Sequence, residues 1–321
     1  MNSLDAAARE EQARTGFADD RRAAGIGSPA SAGAFCRALL RACRPRQWSK
    51  NLLVLAAPCA AGVIDRPQVA GQVAGAFVVL CLLSSATYLV NDVRDRERDR
   101  LHPRKRFRPI ASGELSPAAA LRSAVVLAVV GVGLATAIEP KLGLLGCGYL
   151  ALTASYSLWL RNVAIVDILA IAAGFVLRAL AGGVATDIYL SRWFVIVTAS
   201  CAVFLVAAKR YAELRSASAS AGAATRATLA RYSSESLTVT LVAAATIAGV
   251  AYTSWAFTRP SHLLWYGASI VPFLLWLARY ARLVRGGTGE APEELILHDQ
   301  TLLVLSAVWA ALFIGGVYVG H

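Results

Sequence analysis

Charged residues are scarce in this chain, and their scarcity excludes a soluble globular protein. Only 16% of the 321 residues are charged and 57% are hydrophobic, with a mean hydropathy of +0.54, whereas soluble domains are about a quarter charged. The apolar residues also form repeated blocks of about 20 residues, which is the length that crosses a bilayer. The sequence therefore predicts an all-α, multi-pass membrane protein.

Paired cysteine motifs and a cleavable leader are also missing. The six cysteines include no CxxC pair, and most of them lie inside apolar stretches, where a thiol behaves as a small hydrophobe. We therefore expect neither a disulfide nor a zinc site. Residues 1–34 are polar and lack the apolar segment of a signal peptide. Residues 1–40 are predicted to form a flexible cytoplasmic tail, and residues 41–321 the membrane domain.

Nine apolar stretches are candidates for membrane spans. They are residues 50–65, 70–92, 116–138, 141–160, 164–185, 192–212, 236–257, 263–284 and 297–319. With the N-terminus inside, each of the four outer loops carries one basic residue: Arg66, Lys141, Arg192 and Arg259. Because inner loops are enriched in Lys and Arg, this pattern predicts a cytoplasmic N-terminus. The same asymmetry explains the formal net charge of +12 without a nucleic-acid partner.

The most specific motif, NDVRDRERD at residues 91–99, ends the second predicted span. On a continuous helix with about 100° per residue, Asn91, Asp92, Asp95 and Asp99 share one face. Carboxylates crowded in this way repel one another unless cations compensate. Oxygen ligands beside a substrate phosphate suit Mg²⁺. The motif therefore favours a magnesium site over its alternative, a solvated helix end of mixed charge.

A basic loop, HPRKRFRP at residues 102–109, follows directly. Attraction to anionic lipid would explain its charge, but not its position beside an acidic motif. Proteins commonly bind a diphosphate with a metal and adjacent Arg and Lys side chains. We therefore take Lys105, Arg106 and Arg108 as candidate phosphate ligands.

Further polar side chains lie at the ends of the predicted spans. Asp167 follows Tyr156 near the inner end of the fifth span, where a carboxylate is costly unless it is paired, hydrated or bound to metal. Both residues are candidates for the site. Lys209 and Arg210 end the sixth span, either as an ion-paired helix end or as phosphate ligands.

Three more candidates for the site could instead serve the structure alone. Lys50 and Asn51 begin the first span beside Trp48, a pattern that usually marks an interfacial anchor but also places them where a lipid phosphate would lie. Arg178 lies deeper in the fifth span, as a buried ion-pair partner or as part of a phosphate pocket.

These motifs resemble the UbiA superfamily of intramembrane transferases, whose members share nine helices and an NDxxDxxxD motif that binds a magnesium diphosphate. Within it the chain is most similar to the branch that transfers phosphoribosyl groups to decaprenyl phosphate. That branch carries RPxQWxKN, NDxxDxxxDxxHPxKxxRP and KRxxE, which match residues 44–51, 91–109 and 209–213.

The resemblance implies that magnesium 5-phosphoribosyl 1-diphosphate enters from the cytoplasm and that polyprenyl phosphate lies between helices with its head near Lys50. It assigns metal and diphosphate binding to Asn91, Asp92, Asp95 and Asp99, and phosphate binding to Lys105, Arg108 and Lys209. Asp167 would bind the ribose hydroxyls or a metal-bound water. The product would feed pentose-containing envelope polymers such as arabinan from the cell (inner) membrane. Whether the protein forms a homo-oligomer is left open.

The nearest alternative is prenyl transfer from a prenyl diphosphate to an aromatic acceptor. Aromatic prenyltransferases usually carry a second DxxxD motif, whereas here Asp167 is followed four residues later by Ile171. Transport, a different class, would favour paired charges near the bilayer midplane, where Arg178 is the chief candidate. The sequence does not exclude a degenerate enzyme.

Overall fold

The computed structural model describes residues 32–219, 231–287 and 292–319. Within these residues the fold is helical, without β-strands, and contains eight long α-helices that run up and down side by side. They are α1 (Pro67–Arg94), α2 (Pro117–Ile138), α3 (Pro140–Leu158), α4 (Val166–Ala185), α5 (Arg192–Ala219), α6 (Ser234–Phe257), α7 (Leu263–Arg285) and α8 (Gln300–Tyr318). Each coincides with one of the predicted spans from the second to the ninth.

Seven of these helices are long and apolar enough to cross a membrane, α3 being the exception. Large apolar side chains such as Val129 and Leu144 point outward, with 66% and 75% of their surface exposed. An outer surface of this kind is suited to lipid, and the protein is a multi-pass membrane protein. The end of α3 from Thr153 to Ser157 carries polar side chains that contact α1 and α4.

The first predicted span, residues 50–65, is not a regular α-helix. It consists of a 3-10 helix, Pro45–Leu55, followed by a short α-helix, Ala56–Ala60. Its Asn51 side chain points inward and contacts Ser84 of α1. The apolar composition of residues 50–65 indicated burial, but it did not indicate backbone geometry. The structure thus supports seven of the nine predicted spans by length and composition.

The described chain begins with a packed helix. Residues 1–31 of the predicted tail lie outside the described residues, whereas residues 32–40 belong to the helix Ala32–Ala42. Ala38 and Ala42 of this helix are buried against Leu89 of α1 and Ile110.

Charged pairs gather at one end of the bundle, where α1, α3, α5 and α7 end and the even-numbered helices begin. Arg44–Asp92, Arg210–Asp167 and Arg279–Asp299 all lie there. At the opposite end Lys141 pairs with Asp187. Among the described residues most of the buried charged pairs thus lie at one end of the bundle, and this end carries the candidate site.

Close packing of the first segment on α4 requires a glycine. A Cβ added to Gly182 would lie 1.8 Å from the Val54 carbonyl oxygen and 3.2 Å from Pro58, so backbone would have to move. Gly182 therefore allows the first segment to pack closely on α4.

We expect Gly182→Ala to destabilise the protein by about 1–3 kcal/mol, the usual cost of overpacking. Thermal unfolding of the detergent-solubilised protein would measure the effect as a lower Tm. Gly133→Ala on α2 is the matched control, because its added Cβ meets no described atom within 4 Å. Equal Tm values for both variants would contradict the close contact.

Candidate active site

Two carboxylates of the acidic motif share one arginine. Helix α1 ends at Arg94, Asp95 interrupts it, and the short helix Arg96–Leu101 continues. Asp92 and Asp99 are 3% and 2% exposed. The Arg108 Nη1 atom lies 3.2 Å from Asp92 Oδ1 and 2.6 Å from Asp99 Oδ2. The basic loop therefore folds back so that its arginine neutralises the two buried carboxylates.

Other arginines complete this cluster. Arg44, in the turn before the 3-10 helix, also binds Asp92, and Arg161 Nη1 lies 3.5 Å from Asp95 Oδ2. Within the described residues, no three His, Cys, Asp or Glu side chains are grouped as metal ligands. This differs from the predicted convergence of three carboxylates, because the helix breaks at Asp95 and each acidic group is drawn to a guanidinium.

A second cluster surrounds Asp167 in the first turn of α4. Its carboxylate accepts two hydrogen bonds from Arg210, at 2.6 and 3.1 Å, and one from the Tyr156 hydroxyl at 2.9 Å. Arg210 also donates to Glu213 at 2.6 Å. Asp167 and Arg210 are 2% and 3% exposed. The structure thus brings together three residues that the sequence analysis selected separately, and Asp167 carries the ion pair that its position required.

A strained turn precedes Asp167. Ile165 has φ 68° and ψ −50°, and its backbone N–H donates to the Tyr232 hydroxyl at 2.9 Å. Burial raises the pKa of Tyr232, and the hydrogen bond from Ile165 partly opposes this rise. The phenol therefore remains protonated at neutral pH.

The segment from Tyr156 to Asp167 joins the two clusters. The Ser157 hydroxyl lies 2.5 Å from Asn91 Oδ1, and Arg94 donates to the Ser157 carbonyl oxygen. Arg161, in the same segment, reaches Asp95. A single connection between α3 and α4 thus contacts both the acidic motif and Asp167, so the two clusters form one site.

A third polar cluster lies deeper in the bundle. The Arg178 guanidinium donates to Asn51 Oδ1 at 2.9 Å, to the Tyr149 hydroxyl at 2.7 Å and to the Gly174 carbonyl oxygen at 2.8 Å. Asn51 contacts Ser84, which precedes Asn91 by two turns of α1, about 10 Å. Among the described residues the hydrogen-bond partners of Arg178 are neutral, so this cluster retains a buried positive charge.

The remaining predicted residues lie around these clusters. Lys50 is half-buried on the 3-10 helix next to Asn51, and Lys209 is half-buried on α5 next to Arg210. Lys105 is half-buried at the start of a short 3-10 turn, while Arg106 is exposed and lies over the Phe107 ring.

Sequence reasoning missed four residues of the site as candidates: Arg44, Ser157, Arg161 and Tyr232. Arg44 begins the RPxQWxKN string and Arg161 is an arginine between two spans, so both offered a signal. Ser157 and Tyr232 contact residues 66 and 67 positions away in the sequence, and no local motif marks them.

Comparison with known proteins identifies relatives of this chain. The UbiA prenyltransferase family matches residues 52–298. A decaprenyl-phosphate phosphoribosyltransferase of Mycobacterium tuberculosis is 45% identical over 278 residues, 85% of this chain and 92% of the relative. A relative of the same name from Mycolicibacterium smegmatis is 41% identical over 294 residues, 87% of this chain and 92% of the relative.

Solved structures show the same fold. A UbiA homolog from Archaeoglobus fulgidus, bound to DMAPP and Mg²⁺, gives a TM-score of 0.66 at 18% identity over 88% of this chain and 99% of that chain. A digeranylgeranylglyceryl phosphate synthase structure gives 0.65 at 14% identity over 88% and 98%. The fold and the sequence agree: this chain belongs to the UbiA prenyltransferase family.

Proposed function

We propose that the protein transfers 5-phosphoribosyl from 5-phosphoribosyl 1-diphosphate to a polyprenyl phosphate, decaprenyl phosphate in the relatives' names, and releases diphosphate. The observation that carries this proposal is the identity of 41–45% with phosphoribosyltransferases over at least 85% of the chain. The alternation of carboxylates and guanidinium groups at one end of the bundle suits the same donor, because that donor carries both a diphosphate and a 5-phosphate.

The acidic motif suits a magnesium diphosphate. Asn91, Asp92, Asp95 and Asp99 supply only oxygen donors, the type that Mg²⁺ prefers. These four residues would hold the ion once the carboxylates exchange their guanidinium partners for it, and its chemistry would be to neutralise the departing diphosphate. Arg44 and Arg108 already lie against Asp92. They are therefore placed to bind phosphate oxygens beside the carboxylates.

Charge explains the proposed mechanism. The bond between ribose C1 and the diphosphate oxygen breaks, the electron pair leaves with diphosphate, and positive charge develops on the sugar. Stabilising that leaving group is the main demand on the site. A phosphate oxygen of the acceptor then forms the new bond to C1. The acceptor is already an anion, so the reaction needs no strong general base.

Asp167 serves the ribose side of the site. Two hydrogen bonds from Arg210 and one from Tyr156 fix its carboxylate. A fixed carboxylate close to the acidic motif can accept hydrogen bonds from the ribose hydroxyls and so orient C1. Lys105, Arg106 and Lys209 add positive charge for the 5-phosphate at the rim.

The acceptor phosphate is assigned to the deeper cluster. Arg178 is buried with neutral hydrogen-bond partners among the described residues, and Asn51 links it to the segment that carries Lys50. An anion that enters from the lipid side, with its prenyl chain between helices, would meet this positive charge first.

The membrane topology completes the proposal. The segment 45–60 and helix α3 bring the spans to nine, with the N-terminus and the site at the cytoplasmic face of the cell membrane. The product would be a lipid-linked pentose phosphate for envelope polysaccharide.

The direct test is to incubate purified protein with magnesium, labelled 5-phosphoribosyl 1-diphosphate and decaprenyl phosphate. We expect label in the lipid phase, and none after chelation of magnesium. Prenyl transfer from a prenyl diphosphate to an aromatic acceptor is assayed in parallel. Transfer in that assay alone would move the protein to the prenyltransferase branch of its family.

Replacing Asp95 separates catalysis from folding. Its pair with Arg161 is long at 3.5 Å and each side chain is 25% exposed, so the pair contributes little stability. We expect Asp95→Asn to lower kcat at least about 100-fold, as expected when one metal-binding, charge-stabilising group is lost, with a Tm close to that of the parent. Glu97→Gln, at an exposed neighbouring carboxylate that pairs with Arg100, is the control and should retain activity. A normal magnesium-dependent rate for Asp95→Asn would remove this residue from the site.

Replacing Lys105 tests whether this residue binds a phosphate group of the donor. Loss of one cation from a phosphate site removes a charge-assisted hydrogen bond, so Lys105→Ala should raise the donor KM about 10-fold. The magnesium dependence should stay as in the parent. Arg104→Ala, at the exposed neighbouring residue, is the control for a general loss of charge. An equal rise in KM for both variants would show that charge in the loop matters rather than this position.

A further inference from the structure

The turn at Ile165 has an unfavourable backbone conformation for its residue type. The Val166 N–H donates to the Ala164 carbonyl oxygen at 2.8 Å, and with φ 68° and ψ −50° at Ile165 these three residues form a γ-turn of the rare, strained kind. A β-branched residue is especially disfavoured at positive φ. Such a turn persists only where neighbouring contacts hold it.

Two consecutive residues before α6 supply those contacts. The Tyr232 hydroxyl accepts the Ile165 N–H at 2.9 Å, and Arg231 Nη1 donates to the Asn162 carbonyl oxygen at 3.1 Å. Tyr232 is 8% exposed and its side chain lies in the apolar core together with Phe204 and Leu237. Packing therefore holds the phenol oxygen in place, and its hydrogen bond with the Ile165 N–H stabilises the turn.

This turn determines the direction in which the Asp167 side chain points. The Asp167 N–H donates to the Val163 carbonyl oxygen at 2.9 Å across the turn. The Asp167 carboxylate accepts hydrogen bonds from Arg210 and Tyr156. A rotation of the first turn of α4 would move the carboxylate away from both donors. The Tyr232 hydroxyl hydrogen-bonds to the backbone at Ile165, whereas its interaction with Asp167 and Arg210 is electrostatic only.

We propose that Tyr232 is a positioning residue: its hydroxyl holds the strained turn at Ile165 and thereby fixes the Asp167 carboxylate for the reaction. The proposal rests on the proposed function of the site. It also gives a role to the residues directly before α6, because Arg231 and Tyr232 reach the connection between α3 and α4.

The first variant is Tyr232→Phe, which keeps the ring in the core and removes only the acceptor oxygen. We expect kcat to fall about 10-fold, the size of effect that loss of one hydrogen bond produces. The KM values for donor and acceptor should change less than about twofold, because a misdirected carboxylate affects the reacting geometry more than binding. Tyr189→Phe is the matched control, since Tyr189 is 89% exposed and lies at the other end of α4, and it should leave kcat and KM unchanged.

The second variant is Ile165→Gly, because glycine adopts positive φ without steric cost. If Tyr232 serves to hold the strained turn, then Tyr232→Phe should lower kcat less in the Ile165→Gly protein than in the parent. The two substitutions are then non-additive, as expected for coupled residues. A loss that arose only from damage to the core would be the same in both backgrounds.

The parent protein, Tyr232→Phe, Ile165→Gly and the double variant together decide whether Tyr232 is a positioning residue. An unchanged kcat for Tyr232→Phe, or an equal fall in both backgrounds, would overturn the proposal. If Tyr232→Phe alone is too unstable to purify, the comparison of Ile165→Gly with the double variant remains, and we expect a fall in kcat below about threefold there. Failure of the proposed function is a separate result, namely no phosphoribosyl transfer by the parent protein, and prenyl transfer would then serve to compare the same four proteins.

Discussion

The end of the bundle that carries the candidate site is organised by the need to neutralise carboxylates that the fold buries. Asp92, Asp99 and Asp167 are each no more than 3% exposed, and a buried charge without a partner costs several kcal/mol. Arg108 and Arg210 meet this need at hydrogen-bond distance. Arg108 thereby ties the basic loop to the acidic motif, and Arg210 adds an ion pair to the apolar packing of α5 on α4.

The same pairs suit a site whose substrate is a polyanion. A guanidinium that already lies beside a carboxylate has lost much of its hydration, so exchange of its carboxylate partner for a phosphate oxygen replaces one charge-assisted hydrogen bond by another. Arg44 and Arg108 both contact Asp92, so two guanidinium groups beside the acidic motif could exchange this carboxylate for a substrate phosphate. In the proposed function, stability without substrate and affinity for the substrate thus depend on the same side chains.

Sequence predicted those features that depend on neighbouring residues. Eight helices were predicted because a run of about 20 apolar residues has the length that crosses a bilayer as an α-helix. The acidic motif was found because its members recur at helical spacing. The first segment was predicted as a regular span, although its shape depends on Asn51 reaching Arg178, 127 positions away. Ser157 and Tyr232 were missed for the same reason, since their partners are distant in the chain and neither belongs to a local pattern.

Depth in the membrane separates the two substrates in this proposal. The proposed donor is a soluble polyanion and would bind where carboxylates and arginines alternate at the end of the bundle that carries the candidate site. The acceptor carries its single phosphate on a chain that stays between helices, so its site requires positive charge at greater depth. Arg178 meets that requirement because Tyr149 and Asn51 satisfy its hydrogen bonds without cancelling its charge. Ser84, which contacts this cluster, lies only about two helical turns from Asn91, so the proposed acceptor site lies about 10 Å from the acidic motif.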